Sequence, residues 1–451
     1  MRLPLRTWLQ SGAVIVLCLA LGALAYATPR QHTAQLLLLF GAATVAYAGL
    51  LHGRLPLRAG LLLAVLLRLL WLPVLPNLSD DYHRFRWDGA LLVAGENPYQ
   101  HRPHEYRAGG GMLANPPGIT RELYGKLNSP RYYSVYPPIS QAVFGAAVWL
   151  FPSSEFGQVV AMRMVLLLAE AATAVLLCLL LRRWQIPTSN CIVYLLHPLV
   201  ITELAGNLHF EALVITGVLL VLWLLVKGRW GLAAAALGLA AATKLTPLLL
   251  LPLLIKRLGW AHAFGFGSVV ALVLGLSFAP FASAVLVSNI SRSLDLYFHS
   301  FEFNASVYYL LRTIGYWLSG YNQIALLGTW LAAAAFLGIL AIAATETTPR
   351  LATLPKTFLL VLTLYYAFAT TVHPWYLAPL VALSCFTTWR YPAAWAGAAV
   401  LSYATYRTAA YHEHLGLVAL EYAVVLLFAW LDWHRSRRCG TTNHLAHQCC
   451  Q

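Results

Sequence analysis

Three carboxylates and two guanidinium groups crowd the stretch Ser79-Asp80-Asp81-Tyr82-His83-Arg84-Phe85-Arg86-Trp87-Asp88-Gly89. The stretch follows at once on an apolar run, Leu61 to Leu75, that ends at Pro76. So many charges cannot lie in hydrocarbon, which places them at a membrane surface, in water or facing a polar cleft. A carboxylate held there can accept a proton from a hydroxyl as a general base. The adjacent pair Asp80-Asp81 offers oxygen ligands that a divalent cation would take. Asp80 stands nearest the end of the apolar run, whereas Asp88 lies four residues beyond Arg84, a spacing that pairs side chains on a helix and braces a loop. Asp81 either orients Asp80 or holds a metal. The acids open the longest polar stretch of the chain, in which Gly95-Glu96-Asn97-Pro98-Tyr99 and Tyr136-Pro137-Pro138 follow.

Composition dictates what must position these groups. Of 451 residues, 60% are hydrophobic and only 10% charged, with mean hydropathy +0.67. A soluble domain carries about 25% charged residues, so the expected fold class is all-α, a polytopic transmembrane helical bundle. The net charge of +14 does not mark a nucleic-acid binder. The basic residues fall in small groups between apolar runs, as topology signals do. Cys18, Cys178, Cys191 and Cys385 lie inside apolar runs, and Cys439, Cys449 and Cys450 in the tail keep no metal-ligand or prenylation spacing. The first 28 residues imitate a signal peptide, with Arg2 and Arg6 before an apolar run ending Ala25-Tyr26-Ala27. An uncleaved first helix is the preferred reading, because further spans follow at once.

Apolar runs predict about 14 spans, at 10–28, 34–51, 59–76, 158–181, 188–205, 211–226, 230–244, 246–256, 261–280, 322–344, 351–370, 375–389, 392–407 and 415–433. The chain thus divides into two N-terminal helices (1–57), a module with external loops 77–157 and 281–321 (58–321), C-terminal helices (322–433) and a basic tail (434–451). With a cytoplasmic N-terminus, the inner connectors receive sixteen Lys and Arg against two acids, Glu346 and Asp432. The loop from Asn77 to Gly157 holds seven basic and seven acidic residues and belongs outside. Ile139 to Pro152 would invert every later basic pair if it crossed, and its length suits an interfacial or dipping helix.

On that topology, residues remote in sequence meet at the outer face. Glu203, Asn207, His209 and Glu211 form the turn between the fifth and sixth spans. Lys244 ends the seventh span, His373-Pro374-Trp375-Tyr376 opens the twelfth, Arg163 lies near the outer end of the fourth, and Asn304 sits in the second external loop. Each has a plainer reading. Lys244 and Arg163 can snorkel to headgroups, Arg163 can pair with Glu170 on its own helix, and His209 can satisfy a turn. Trp71, Trp87, Tyr99, Trp375 and Tyr376 can be interfacial aromatics. His412-Glu413-His414 reads as a solvated turn rather than a metal site. Arg68, deep in the third span, requires a partner. The convergence carries more weight than any one residue.

The acidic stretch with Gly95-Glu96-Asn97-Pro98-Tyr99 resembles the first external loop of bacterial GT-C glycosyltransferases. The closest group is the polyprenyl-phosphate-mannose-dependent mannosyltransferases related to glycosyltransferase family 87. Tyr136-Pro137-Pro138, the run Pro198 to Glu203 with His209, Lys244 before Pro247, and His373-Pro374-Trp375-Tyr376 extend the resemblance over residues 60 to 380, leaving the first two spans outside it. The resemblance implies a GT-C-like fold and an inverting displacement with Asp80 as base, Asp81 beside it in the catalytic pair. The sugar, mannose by family, would pass from a polyprenyl phosphate to a glycan, glycolipid or protein hydroxyl. Lys244, Arg163, His209 and His373 are candidates for binding the donor phosphate, since fixed cations in a low-dielectric cleft stabilise developing charge. Arg84, Trp87, Asp88, Asn97, Tyr99, Tyr136, Glu203, Glu211, Asn304, Trp375 and Tyr376 are candidates for supporting or substrate-binding roles. No cofactor is required beyond the divalent metal that the acid pair allows. No Gly-rich phosphate loop for a nucleotide sugar is present. The resemblance places the enzyme in the bacterial cytoplasmic membrane with its site on the periplasmic or exterior side. The rival classes are a transporter or lipid flippase, which would show repeats and midplane polar residues, and a non-enzymatic assembly partner.

Overall fold

The computed structural model describes residues 5–408 and 411–440. They form helices joined by short turns, with isolated bridges Tyr106–Leu113 and Phe303–Thr371 as their extended pairings. Seven described helices are long and apolar enough to cross a membrane, and a bent pair, Thr188–Leu195 with Pro198–Gly206, makes a possible eighth. Of the expected spans, those at 211–226 and 230–244 form the shorter apolar helices Glu211–Val226 and Trp230–Ala241. Prolines divide several of the others. Pro198, Pro247, Pro252, Pro374, Pro379 and Pro392 all sit at first-turn positions of new helical segments. Proline lacks the donor that would continue the preceding helix and suits the start of the next. The last described helix runs unbroken from Leu415 to Gly440, so it includes the first residues of the basic tail. Cys449 and Cys450 lie outside the described residues.

The elements that carry and brace the acidic motif come early. Helices α1 (Leu5–Tyr26) and α2 (Thr33–His52) form a hairpin, followed by α3 (Leu57–Leu69) and by α4 (Asp81–Val93), which carries the acidic motif. A five-residue helix, α5 (Arg121–Gly125), leads to α6 (Pro138–Leu150) and the long α7 (Glu155–Arg183). At 13 residues α6 is about 20 Å long, too short for a hydrocarbon core of roughly 30 Å. It packs along α4 so closely that Gly89 is obligatory: a Cβ there would stand 2.5 Å from the carbonyl oxygen of Phe144. Trp87 is fully buried with Tyr106, Ile119 and Leu123 in a small second core that makes the external loop a folded unit.

Arg68 finds its partner in Glu170, with Nε 3.0 Å from Oε2, while its Nη1 donates to the Leu195 carbonyl at 2.7 Å. The Tyr194 hydroxyl donates to the other oxygen of Glu170. This corrects the expected pairing of Glu170 with Arg163. Breaking a buried ion pair from one side costs about 3–5 kcal/mol, so the contact locks α3 to α7 directly beneath the acidic motif. The N-terminal hairpin is held as firmly. Asn77 donates to the Leu24 and Thr28 carbonyls at 3.0 and 3.1 Å, and Tyr47 donates to the Val193 carbonyl at 2.7 Å.

Candidate active site

Asp80 immediately precedes α4, yet its side chain makes no capping bond to that helix. Its Oδ2 lies 2.6 Å from Nη2 of Arg30, in the turn between α1 and α2. Asp81 faces elsewhere and accepts from the Asn128 amide at 2.7 Å. The rest of the motif is framework. Arg84 Nε donates to Asp88 at 2.8 Å and its Nη1 to the Tyr132 carbonyl at 3.0 Å, and Asp88 also accepts from Gln141 at 3.0 Å and from Ser134. Arg84 and Asp88 are buried, so they fix the loop from within. Glu155 gathers the other side of α4, meeting Tyr82 at 3.0 Å and Arg86 at 2.8 Å. Burial there pushes the nearby His83 imidazole down to about 4, which leaves it neutral at physiological pH.

The second half of the site hangs on the π-helix Ile201–Gly206. Its wide turn leaves terminal carbonyls without helical donors, and Arg163 satisfies them. Nε donates to Ala205 at 2.6 Å, Nη2 to Gly206 at 2.9 Å and Nη1 to Leu72 at 3.0 Å. Arg163 is fully buried. It therefore holds the turn in shape, with its guanidinium donors directed to backbone carbonyls. The turn presents Glu203, which meets Nε2 of His209 at 3.0 Å and accepts from Asn207 at 3.2 Å.

Rings then stack in a column. His209 lies 3.8 Å from Trp375 at an interplanar angle of 9°, and His373 covers the opposite face of Trp375 at 4.4 Å and 3°. Both faces of Trp375 are thus occupied, which leaves none for a sugar ring. Burial, with the charges of Lys244 and His209, pushes the His373 imidazole well below its ordinary range, so His373 acts as a neutral hydrogen-bonding group. Beside the column, Lys244 pairs with Glu211 and its Nζ stands 3.9 Å from the centre of the Tyr376 ring. The ammonium is partly exposed, and one bond to Glu211 leaves two of its three donors for a ligand.

The column reaches the acidic motif through aromatic contacts. Phe303 lies 4.7 Å from His373 and 6.0 Å from Tyr406, and the guanidinium of Arg30, which holds Asp80, sits 5.6 Å over Tyr406. Phe303 is held by a short ladder, donating to Thr370 and accepting from Val372. Asn304 next to it takes a left-handed φ of 49° and donates to Glu421 at 3.1 Å, while its N–H donates to Glu413 at 2.6 Å. Burial pushes the Glu413 carboxyl up to about 7. Asn304 is therefore a clamp behind the column. Asn97 joins the two external loops by donating to the Phe281 carbonyl at 2.9 Å, and within the first loop Tyr99 donates to the Tyr136 carbonyl at 2.7 Å.

The structure thus links Asp80, Glu203, His209, Glu211, Lys244, His373, Trp375 and Tyr376 through one run of contacts, with Asp81 beside Asp80 but turned to Asn128. It places Arg84, Trp87, Asp88, Asn97, Tyr99, Tyr136, Arg163 and Asn304 in the frame behind it. Sequence reasoning missed Arg30, Asn128, Glu155, Phe303 and Tyr406. Arg30 lies in an ordinary turn, Pro29-Arg30-Gln31-His32, and only its topological position on the outer side hinted at it. Among the described residues no group of three or more His, Cys, Asp or Glu side chains is gathered to hold a metal. Asp80 and Asp81 are turned to Arg30 and Asn128 rather than to a shared point.

No curated protein matches the chain. A family model described as alpha-(1->6)-mannopyranosyltransferase, N-terminal domain, matches residues 7–261. The match takes in both helices of the N-terminal hairpin as well as the acidic motif, the π-turn and Lys244. It covers more than half of the 451 residues, and the chain belongs to this family of mannosyltransferases.

Proposed function

We propose that this mannosyltransferase takes mannose from a polyprenyl-phosphate carrier and joins it to an acceptor hydroxyl, in the α-(1→6) linkage for which the family is described. The site faces the exterior of the bacterial cytoplasmic membrane, which the charge distribution between the spans supports. Asp80 removes the proton from the attacking hydroxyl as the new C–O bond forms, and the bond to the phosphate breaks on the opposite face of the sugar, inverting the anomeric centre. Lys244 meets the leaving phosphate, with His373 and His209 as hydrogen-bonding partners and Glu211 orienting the ammonium. Asp81 and Asn128 shape the acceptor side.

One observation carries this reading. The carboxylate at the membrane edge and the partly exposed ammonium stand at opposite ends of a single column of packed rings. The base and the cation are thus tied to one shared framework of rings, which supports assigning both to one site.

Purified protein in lipid vesicles tests the donor class. Offered radiolabelled mannose on polyprenyl phosphate with an α-mannoside acceptor, it should glycosylate the acceptor and release one polyprenyl phosphate per mannose transferred. Label arriving equally well from a nucleotide-linked mannose would refute the lipid donor. Movement of the lipid across the bilayer without its cleavage would favour a flippase.

A further inference from the structure

We propose that Arg30 is a positioning residue for Asp80, so that the N-terminal hairpin is part of the catalytic apparatus rather than an added anchor. The inference rests on the reading of Asp80 as the base. Its ground is the way the turn is built. Asn77, which begins the segment leading to Asp80, donates to the Leu24 and Thr28 carbonyls at 3.0 and 3.1 Å. From the other flank, Gln35 donates to the Ala27 carbonyl at 2.9 Å and to the Thr28 hydroxyl at 3.1 Å. The guanidinium so presented stacks on Tyr406 and contacts Asp80 at 2.6 Å.

The two side chains of the ion pair retain 20% and 31% of their exposure, so water can reach either charge when the other is removed. The Asp80 carboxylate makes no capping bond to α4, and Arg30 is its one ion-pair partner among the described residues. Arg30 engages Oδ2 through Nη2, which leaves Oδ1 outside that contact to act as the base. A guanidinium does not give up its proton in a protein, so Arg30 fixes the direction of the base without competing for the proton. Misplacing a reacting group by about 1 Å can cost 10²-fold in rate. Losing the hold should therefore appear in kcat and leave donor binding in place.

The test uses the full-length protein in lipid vesicles, with polyprenyl-phosphate-linked radiolabelled mannose and an α-mannoside acceptor. Arg30→Ala should lower kcat by about 10- to 100-fold, with the donor KM and thermal unfolding temperature close to the parent. Arg30→Lys should retain more activity, because it keeps the charge, and added guanidinium ion below denaturing concentrations should restore Arg30→Ala in part. Combined with Asp80→Asn, Arg30→Ala should cause no further loss, since both changes disable one unit. Parental kcat in a folded Arg30→Ala protein overturns the proposal, as does a loss confined to KM or one that multiplies with that of Asp80→Asn. An inactive Asp80→Asn beside a fully active Arg30→Ala removes the positioning role alone. An active Asp80→Asn removes the base assignment itself.

Discussion

Asp80→Asn is expected to lower the rate of mannosyl transfer by roughly 10²- to 10⁴-fold, the usual cost of losing a positioned general base. Asparagine keeps the shape of the side chain and its hydrogen bond to Arg30, but it cannot accept a proton at neutral pH. Expression and donor KM should stay near parental values, since Asp80 is partly exposed and holds no helix cap. The comparison with Asp88→Asn makes the result specific. Asp88 is buried and accepts from Arg84, Gln141 and Ser134. Neutralising it leaves the Arg84 charge without its carboxylate partner, so the damage should appear as a lower unfolding temperature. Steady-state kinetics with a parallel melting curve separates the two. If Asp80→Asn keeps more than about a tenth of parental activity, a loss well short of that range, the base lies elsewhere and Asp81 is the next candidate.

Lys244→Ala is the second large effect. Removing a fixed cation aimed at developing charge typically costs about 10²- to 10³-fold in kcat, and the ground-state contact to the phosphate adds a rise in donor KM. Glu211 would be left without its ion-pair partner, because Lys244 is the cation it meets. The informative control is therefore Lys244→Arg, which preserves the charge and can still reach Glu211. Partial activity in Lys244→Arg with almost none in Lys244→Ala is the expected pattern, read from kcat and donor KM. Parental kinetics in a well-folded Lys244→Ala protein would return Lys244 to headgroup snorkelling and leave His209 and His373 as the phosphate contacts.

The grouping of these polar residues could be expected from the sequence because that expectation rests on topology and composition alone. The acidic motif announces a membrane edge, and counting spans by their charge bias brings Lys244, Glu211, His209 and His373 to the same side. The bracing of Arg84 by Asp88 was legible from their i,i+4 spacing. What each polar group touches was harder to read. Arg163 looked available because a π-turn, with its unsatisfied carbonyls, has no sequence signature to distinguish it from an ordinary helix end. Arg68 and Arg163 were both within reach of Glu170, and only the packing of α3 against α7 chose between them. Arg30 was invisible for a simpler reason: a single arginine in a short turn reads as a topology signal. Its importance comes from a hairpin folded back on a loop some fifty residues away. Trp375 read as an interfacial aromatic or a supporting residue, and only the packing shows it stacked with His209 and His373.

The central claim is that Asp80 and Lys244, from distant parts of the chain, flank one substrate. It is tested most directly by a structure of the protein with a phosphonate analogue of polyprenyl-phosphate mannose. The account predicts the phosphonate oxygens within hydrogen-bond reach of Lys244, about 2.6–3.2 Å. It predicts His373 beside them, the mannose ring pointing toward Asp80, and the isoprenoid chain leaving into the bilayer. A phosphonate bound away from Lys244, or a mannose ring on the far side of the column from Asp80, would contradict it.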